Sequence, residues 1–103
     1  MNIQELQEKA VHIIDLYAIH DEKLGQQKTS TDSIVMQFVS DVGDLSRYIT
    51  KKERGDDVPN FDESISRELA ESLSHVFVLA HIYNVNLEEA FLKENSRLEK
   101  ELS

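Results

Sequence analysis

The sequence has no cysteine, one proline, three glycines and no tryptophan in 103 residues. Each shortage excludes something. Without cysteine there can be no disulfide and no thiolate metal site, which suits a reducing cytoplasm. So little proline and glycine argues against a turn-rich β architecture and for long helices. No apolar run approaches the roughly 20 residues of a membrane-spanning helix. The opening MNIQELQEKA lacks a basic stretch followed by an apolar one, so no secretory signal is expected there. A cytoplasmic protein without a membrane partner is therefore expected. Positive charge is also scarce: 11 lysines and arginines stand against 20 acids, for a net charge of −9. Such a surface repels the phosphate backbone, which argues against a nucleic-acid polymer as partner.

What remains is one all-α domain over residues 1–103. Four helical segments can be read from the apolar spacing. The first spans about Ile3 to Lys23, with Ile3, Leu6, Ala10, Ile13, Ile14 and Tyr17 on one stripe. Val11, Leu16 and Ile19 lie off that stripe, which implies either a second contact surface or deeper burial within the monomer. A polar stretch from Gly25 to Ser30 interrupts the pattern. Ser30 or Thr31 can cap the second helix, whose stripe is Ile34, Phe38, Val42, Leu45 and Ile49. The run from Glu53 to Pro59 reads as a turn. Asn60 with Glu63, and Asn86 with Glu89, have the spacing of capping boxes for the third and fourth helices. The third shows Ile65, Leu69, Val76, Ala80 and Tyr83. The fourth shows Leu87, Phe91, Leu98 and Leu102, with Glu94 where the stripe should be apolar. Short links predict antiparallel neighbours and an antiparallel four-helix bundle or a close relative. A chain this short buries its surface poorly, so a homodimer or tetramer is expected.

Some of the acid sits where solubility does not require it. Asp41 and Asp44 are three apart on the second helix, and Glu68 and Glu71 three apart on the third, so each pair shares a helix face. In an antiparallel hairpin, residues at one level have a constant sum of residue numbers. Asp41 with Glu71 and Asp44 with Glu68 share one such sum, centred on Asp56 in the turn. At about 100° per residue, both pairs lie roughly 60° to 120° to the same side of their apolar stripes. Tyr48 and His75 follow at matching positions. Facing carboxylates repel unless protonated or bound to cations, and an all-oxygen ligand set suits Mg²⁺ or Mn²⁺. A solvated acidic flank is the alternative. Arg47, Lys51, Lys52 and Arg54 could hold phosphates or simply complement the dipole of the second helix. A di-iron bundle would want Glu-x-x-His pairs, which these helices lack. There is no glycine-rich phosphate loop and no Ser/His/Asp constellation. His12 and His20 point away from the stripe of the first helix.

Over about Ile34 to Lys100 the sequence resembles the MazG-like nucleotide pyrophosphohydrolases. The matching stretches are Ser40-Asp41-Val42-Gly43-Asp44-Leu45 and Glu68-Leu69-Ala70-Glu71, followed by the run from Val78 to Ala90. The resemblance implies Mg²⁺-dependent hydrolysis of a nucleoside triphosphate to monophosphate and pyrophosphate by an oligomer. Asp41, Asp44, Glu68 and Glu71 would be both catalytic residues and metal ligands. Tyr48, His75, His81 and Lys93 become the substrate-binding candidates. Of these, His75 stands where the family has an aromatic facing the base, and His81 replaces a family Asn. Lys93 lies beside Glu94, which takes the place of a phosphate-contacting Lys. Ser40 replaces the first Glu of the family motif, and chain lengths are exchanged at 41, 44 and 71. A helical oligomerisation or regulatory module that kept the fold and lost turnover is the alternative.

Overall fold

The computed structural model describes residues 1–25 and 30–103. Most of the polar break expected at Gly25 to Ser30 lies outside the described residues. The described chain holds four helices and no strand: α1 (Ile3–Lys23), α2 (Thr31–Glu53), α3 (Phe61–Ile82) and α4 (Leu87–Leu102). None of them is long and apolar enough to cross a membrane.

Local chemistry explains most helix ends. Three helices start on a side chain that accepts a free backbone N–H. Asn2 accepts from Glu5 at 2.8 Å, Ser30 from Ser33 at 3.2 Å and Asn86 from Glu89 at 3.0 Å. The expected cap at Asn60 does not form. Asn60 has φ 57 and ψ 36, the left-handed region, and its side chain makes no capping bond. A capping side chain works from extended backbone, where it can turn back over the first turn. At the other ends, α2 closes with Gly55 at φ 84. The Gly55 N–H donates to the Lys52 carbonyl and Asp56 N–H to that of Lys51, both at 3.0 Å. α3 closes the same way on Asn84 at φ 55, with Val85 N–H donating to the Ala80 carbonyl at 2.8 Å. These reverse bonds satisfy carbonyls that the helix leaves free.

α3 is the central element, with α2 and α1 both packed along it. The core is small: Ala10, Ile34, Phe77 and Val78, with Ile14, Leu79 and Leu87 against them. Each large apolar side chain buried there contributes about 1.5–3 kcal/mol. Because α3 is held between two helices, its buried residues are Phe77, Val78 and Ala80. The single stripe expected for α3 is therefore only partly inside, with Leu69 and Tyr83 exposed. α2 runs antiparallel to α3, as Gln37 meets His75 near one end and Lys52 covers the Phe61 ring near the other.

α4 departs from the expected bundle. Among the described residues it makes no extensive contact with any other helix, and only Leu87 at its start is half-buried. Leu16 and Ile19 of α1 are 47% and 51% exposed. Of the three off-stripe residues, Val11 is half-buried within the monomer, whereas Leu16 and Ile19 are not.

Candidate metal centre

The α2–α3 hairpin brings the acids together. Asp41, Asp44 and Glu68 each place one carboxylate oxygen within 4.8 Å of the other two. The i, i+3 spacing on α2 and the antiparallel register explain the convergence. Glu71 does not join this group; it is exposed and lines the adjoining cavity. One Glu68 oxygen, Oε2, is buried without a hydrogen-bond partner. Burial raises the Glu68 carboxyl above its usual range, and the charges of Asp41, Glu71 and Asp44 push the same way. Arg67 pulls it back. An orphaned carboxylate oxygen among carboxylates is an unfavourable arrangement that a proton or a cation relieves. Hard oxygen donors of this kind fit Mg²⁺ or Mn²⁺.

A cavity of about 620 Å³ opens beside the acids, between α1, α2 and α3. Ile13, Ile14 and Val78 supply apolar lining, and Asp41, Glu71 and His75 border it. Its size is within the range of small-molecule sites. No lysine or arginine lines it among the described residues. His75 is fixed in place. Its Nδ1 donates to the Glu71 backbone carbonyl at 2.9 Å. Its Nε2 stands 3.4 Å from Gln37 Oε1 and 3.7 Å from Asp41 Oδ2. The ring of Phe38 stacks against it with centroids 6.5 Å apart.

The other candidates lie apart from this cavity. Tyr48 does not line it and carries the Arg47 guanidinium 5.7 Å over its ring. His81 is exposed near the end of α3, and Lys93 is exposed on α4. Within one chain, only His75 of the four substrate-binding candidates borders the cavity. The reason for Tyr48 is distance along the helix: it lies seven residues, roughly 10 Å of rise, beyond Asp41, the nearest cavity-lining residue of α2. Glu94, the break in the α4 stripe, is turned to Arg97 and paired with it. The basic cluster is likewise engaged locally. Arg47 donates to Asp44 Oδ1 at 2.9 Å, and Arg54 to Asp56 at 3.3 Å.

Spacing did not single out Gln37, Ser74 or Asp21, which also line the cavity. The signal for Gln37 was present: it is one turn before Asp41 and level with His75 in the register that aligns the acids. Comparison with known protein families, with curated proteins and with solved structures finds no match to this chain.

Proposed function

We propose that the chain is a MazG-like, Mg²⁺- or Mn²⁺-dependent nucleoside triphosphate pyrophosphohydrolase, working as a homo-oligomer. The observation that carries this reading is the convergence of Asp41, Asp44 and Glu68, of which Asp41 also lines a cavity of about 620 Å³. The orphaned Glu68 oxygen adds to it. Asp41, Asp44 and Glu68 would hold the cation, with Glu71 near enough to join through its flexible side chain. The cation would neutralise phosphate oxygens and supply an activated water. The absence of lysine and arginine from the described lining of the cavity fits this division of labour, in which the metal meets the charge of the triphosphate. The apolar lining from α1 would receive the uncharged end of the nucleotide and keep water from it.

A second reading has its own observation. Arg47 already binds Asp44, so one candidate ligand has a cation of its own. That arrangement fits a non-catalytic helical module with retained architecture. A panel of canonical and modified nucleoside triphosphates with Mg²⁺ or Mn²⁺ separates the two. The enzyme reading expects pyrophosphate, not orthophosphate, from at least one of them. No pyrophosphate from any would leave the module.

A further inference from the structure

We propose that the side of the α2–α3 hairpin facing away from α1 is the docking surface for α4 of a second copy of this chain; this rests on the homo-oligomer part of the reading above and not on its nucleotide chemistry. The two sides of the hairpin are distinct. Gln37, Ser40 and Asp41 of α2 and Glu71, Ser74 and His75 of α3 line the cavity next to α1. At about 100° per residue, Val35, Val39, Val42 and Ile49 lie roughly 160–170° from that side around α2, as do Leu69 and Leu73 around α3. All six are 39–58% exposed. Gly43 and Ser46 lie among them on α2, and Ser66 on α3. Charged residues make up 30% of the chain, yet none falls on this face from Val35 to Ile49 or from Ser66 to Leu73. A contiguous apolar face without charge marks an interaction surface.

α4 fits this face in length and in charge. Its stripe of Phe91, Leu98 and Leu102 is 40–85% exposed, and past Leu87 every residue of the helix is exposed. From Leu87 to Leu102 the helix rises about 22 Å, and the hairpin face from Val35 to Ile49 about 21 Å. The ridge of one helix can seat in the groove between two others. Glu94, the acid at the edge of the stripe, is already paired with Arg97. The chain's own α4 is directed elsewhere by a link fixed at both ends: Val85 N–H donates to the Ala80 carbonyl at 2.8 Å, and Asn86 accepts from Glu89 N–H at 3.0 Å. A second copy brings an identical helix from outside. Under a twofold axis each copy gives one α4 and receives one, so a single kind of contact covers both apolar surfaces. Two hairpin faces stacked on each other would leave both α4 stripes in water.

The chain has no cysteine, so introduced thiols report on single positions. Val39→Cys and Phe91→Cys are made separately in the full chain, both at exposed positions, with helical content checked by circular dichroism. Each variant, and then their equimolar mixture, is treated with a short bismaleimide, and products are identified by mass. Covalent dimer is expected from the mixture and not from either variant alone, and Leu69→Cys should substitute for Val39→Cys. Dimer from Val39→Cys alone would mean that hairpin faces meet, and from Phe91→Cys alone that α4 meets α4. A bridge within one chain in the double variant would mean that α4 folds onto its own hairpin. Each of these, or no cross-link in an oligomer, would overturn the docking of α4 in the second copy. In sedimentation equilibrium, Val39→Glu should raise the dimer dissociation constant by about 10- to 100-fold, the scale of one buried side chain. Unchanged association in that variant would overturn the proposed face and leave the homo-oligomer standing. A folded wild-type monomer at low micromolar concentration would bring down both, without touching the nucleotide reading.

Discussion

The α2–α3 hairpin and α4 solve the same problem, holding a helix in water, in opposite ways. The hairpin helices are held by each other and by α1. They contain most of the buried core, and they hold acids together at a cost in repulsion. Beyond Leu87, which packs against the core, the described contacts that hold α4 are its own. Asn86 caps its start, and Arg97 bonds both Glu94 and Glu101, while Asn95 bonds Glu99. Such pairs contribute only about 0.3–0.5 kcal/mol each. Meanwhile Phe91 is 67% and Leu102 85% exposed. A short helix without tertiary packing is marginal in water. The contrast teaches that the hairpin spends stability gained from packing on its acid cluster, whereas α4 keeps an apolar face that the described residues leave uncovered.

If the hairpin is the working part, damage there should have the largest effect. Asp41→Ala and Glu68→Ala should each lower pyrophosphate release by at least about 10²-fold, since even residues that merely orient ligands cost 10–100-fold. Glu71→Ala, outside the tight group, should cost less. Equal losses in all three would show that Glu71 is a full ligand once the cation is bound. Steady-state rates with matched circular dichroism spectra decide this.

The next effect is on stability. Mg²⁺ at 100 times its Kd should stabilise the protein by about 2.7 kcal/mol, because it binds only the folded state. Glu68→Gln should raise the melting midpoint of the metal-free protein, by up to about 4–8 °C if relief of repulsion amounts to ~1 kcal/mol. It should also reduce the response to metal. The pH dependence has a definite sign. The folded carboxyl of Glu68 is raised, so the folded state binds its proton more tightly than the unfolded chain does. This contribution is complete below the unfolded pKa and is lost as pH rises through the higher folded value. Metal-free wild type should thus lose stability over that window, and Glu68→Gln should lose less. Identical melting curves against pH in the two proteins would remove the electrostatic argument.

For α4, Phe91→Asp should weaken self-association. Burying a side chain of this size contributes about 2 kcal/mol per copy, and the substitution would leave a charge in the interface. Sedimentation at low micromolar concentration should show an oligomer for wild type and smaller species for the variant. A folded monomer in both would mean that α4 stands alone after all.

The smallest effect compares two helix starts. Asn86→Ala should cost about 1 kcal/mol by removing a side-chain cap. Asn60→Gly should cost nothing and can stabilise, because Asn60 makes no capping bond and its left-handed backbone suits glycine. Urea denaturation of both variants is sufficient. An equal loss in both would contradict the difference in their backbones.

Much of this was legible in the sequence because it is local. Apolar spacing and the shortage of proline and glycine determined an all-helical chain. Asn86 and Ser30 were legible as caps because a short acceptor side chain before a helix has few other conformations to choose. The meeting of Asp41, Asp44 and Glu68 was legible because a short turn fixes the register of two antiparallel helices. Asn60 has the same side chain as Asn86, and only the folded chain shows its backbone to be left-handed. The isolation of α4 could not be read either, since an amphipathic pattern shows that a face needs a partner without saying whether the partner is in the same chain. Nor could the cavity be placed beside the acids, because that depends on where α1 lies across α3. Sequence determines what each helix offers; packing distances, set by how side chains far apart in the chain fit together, decide which of those offers meet.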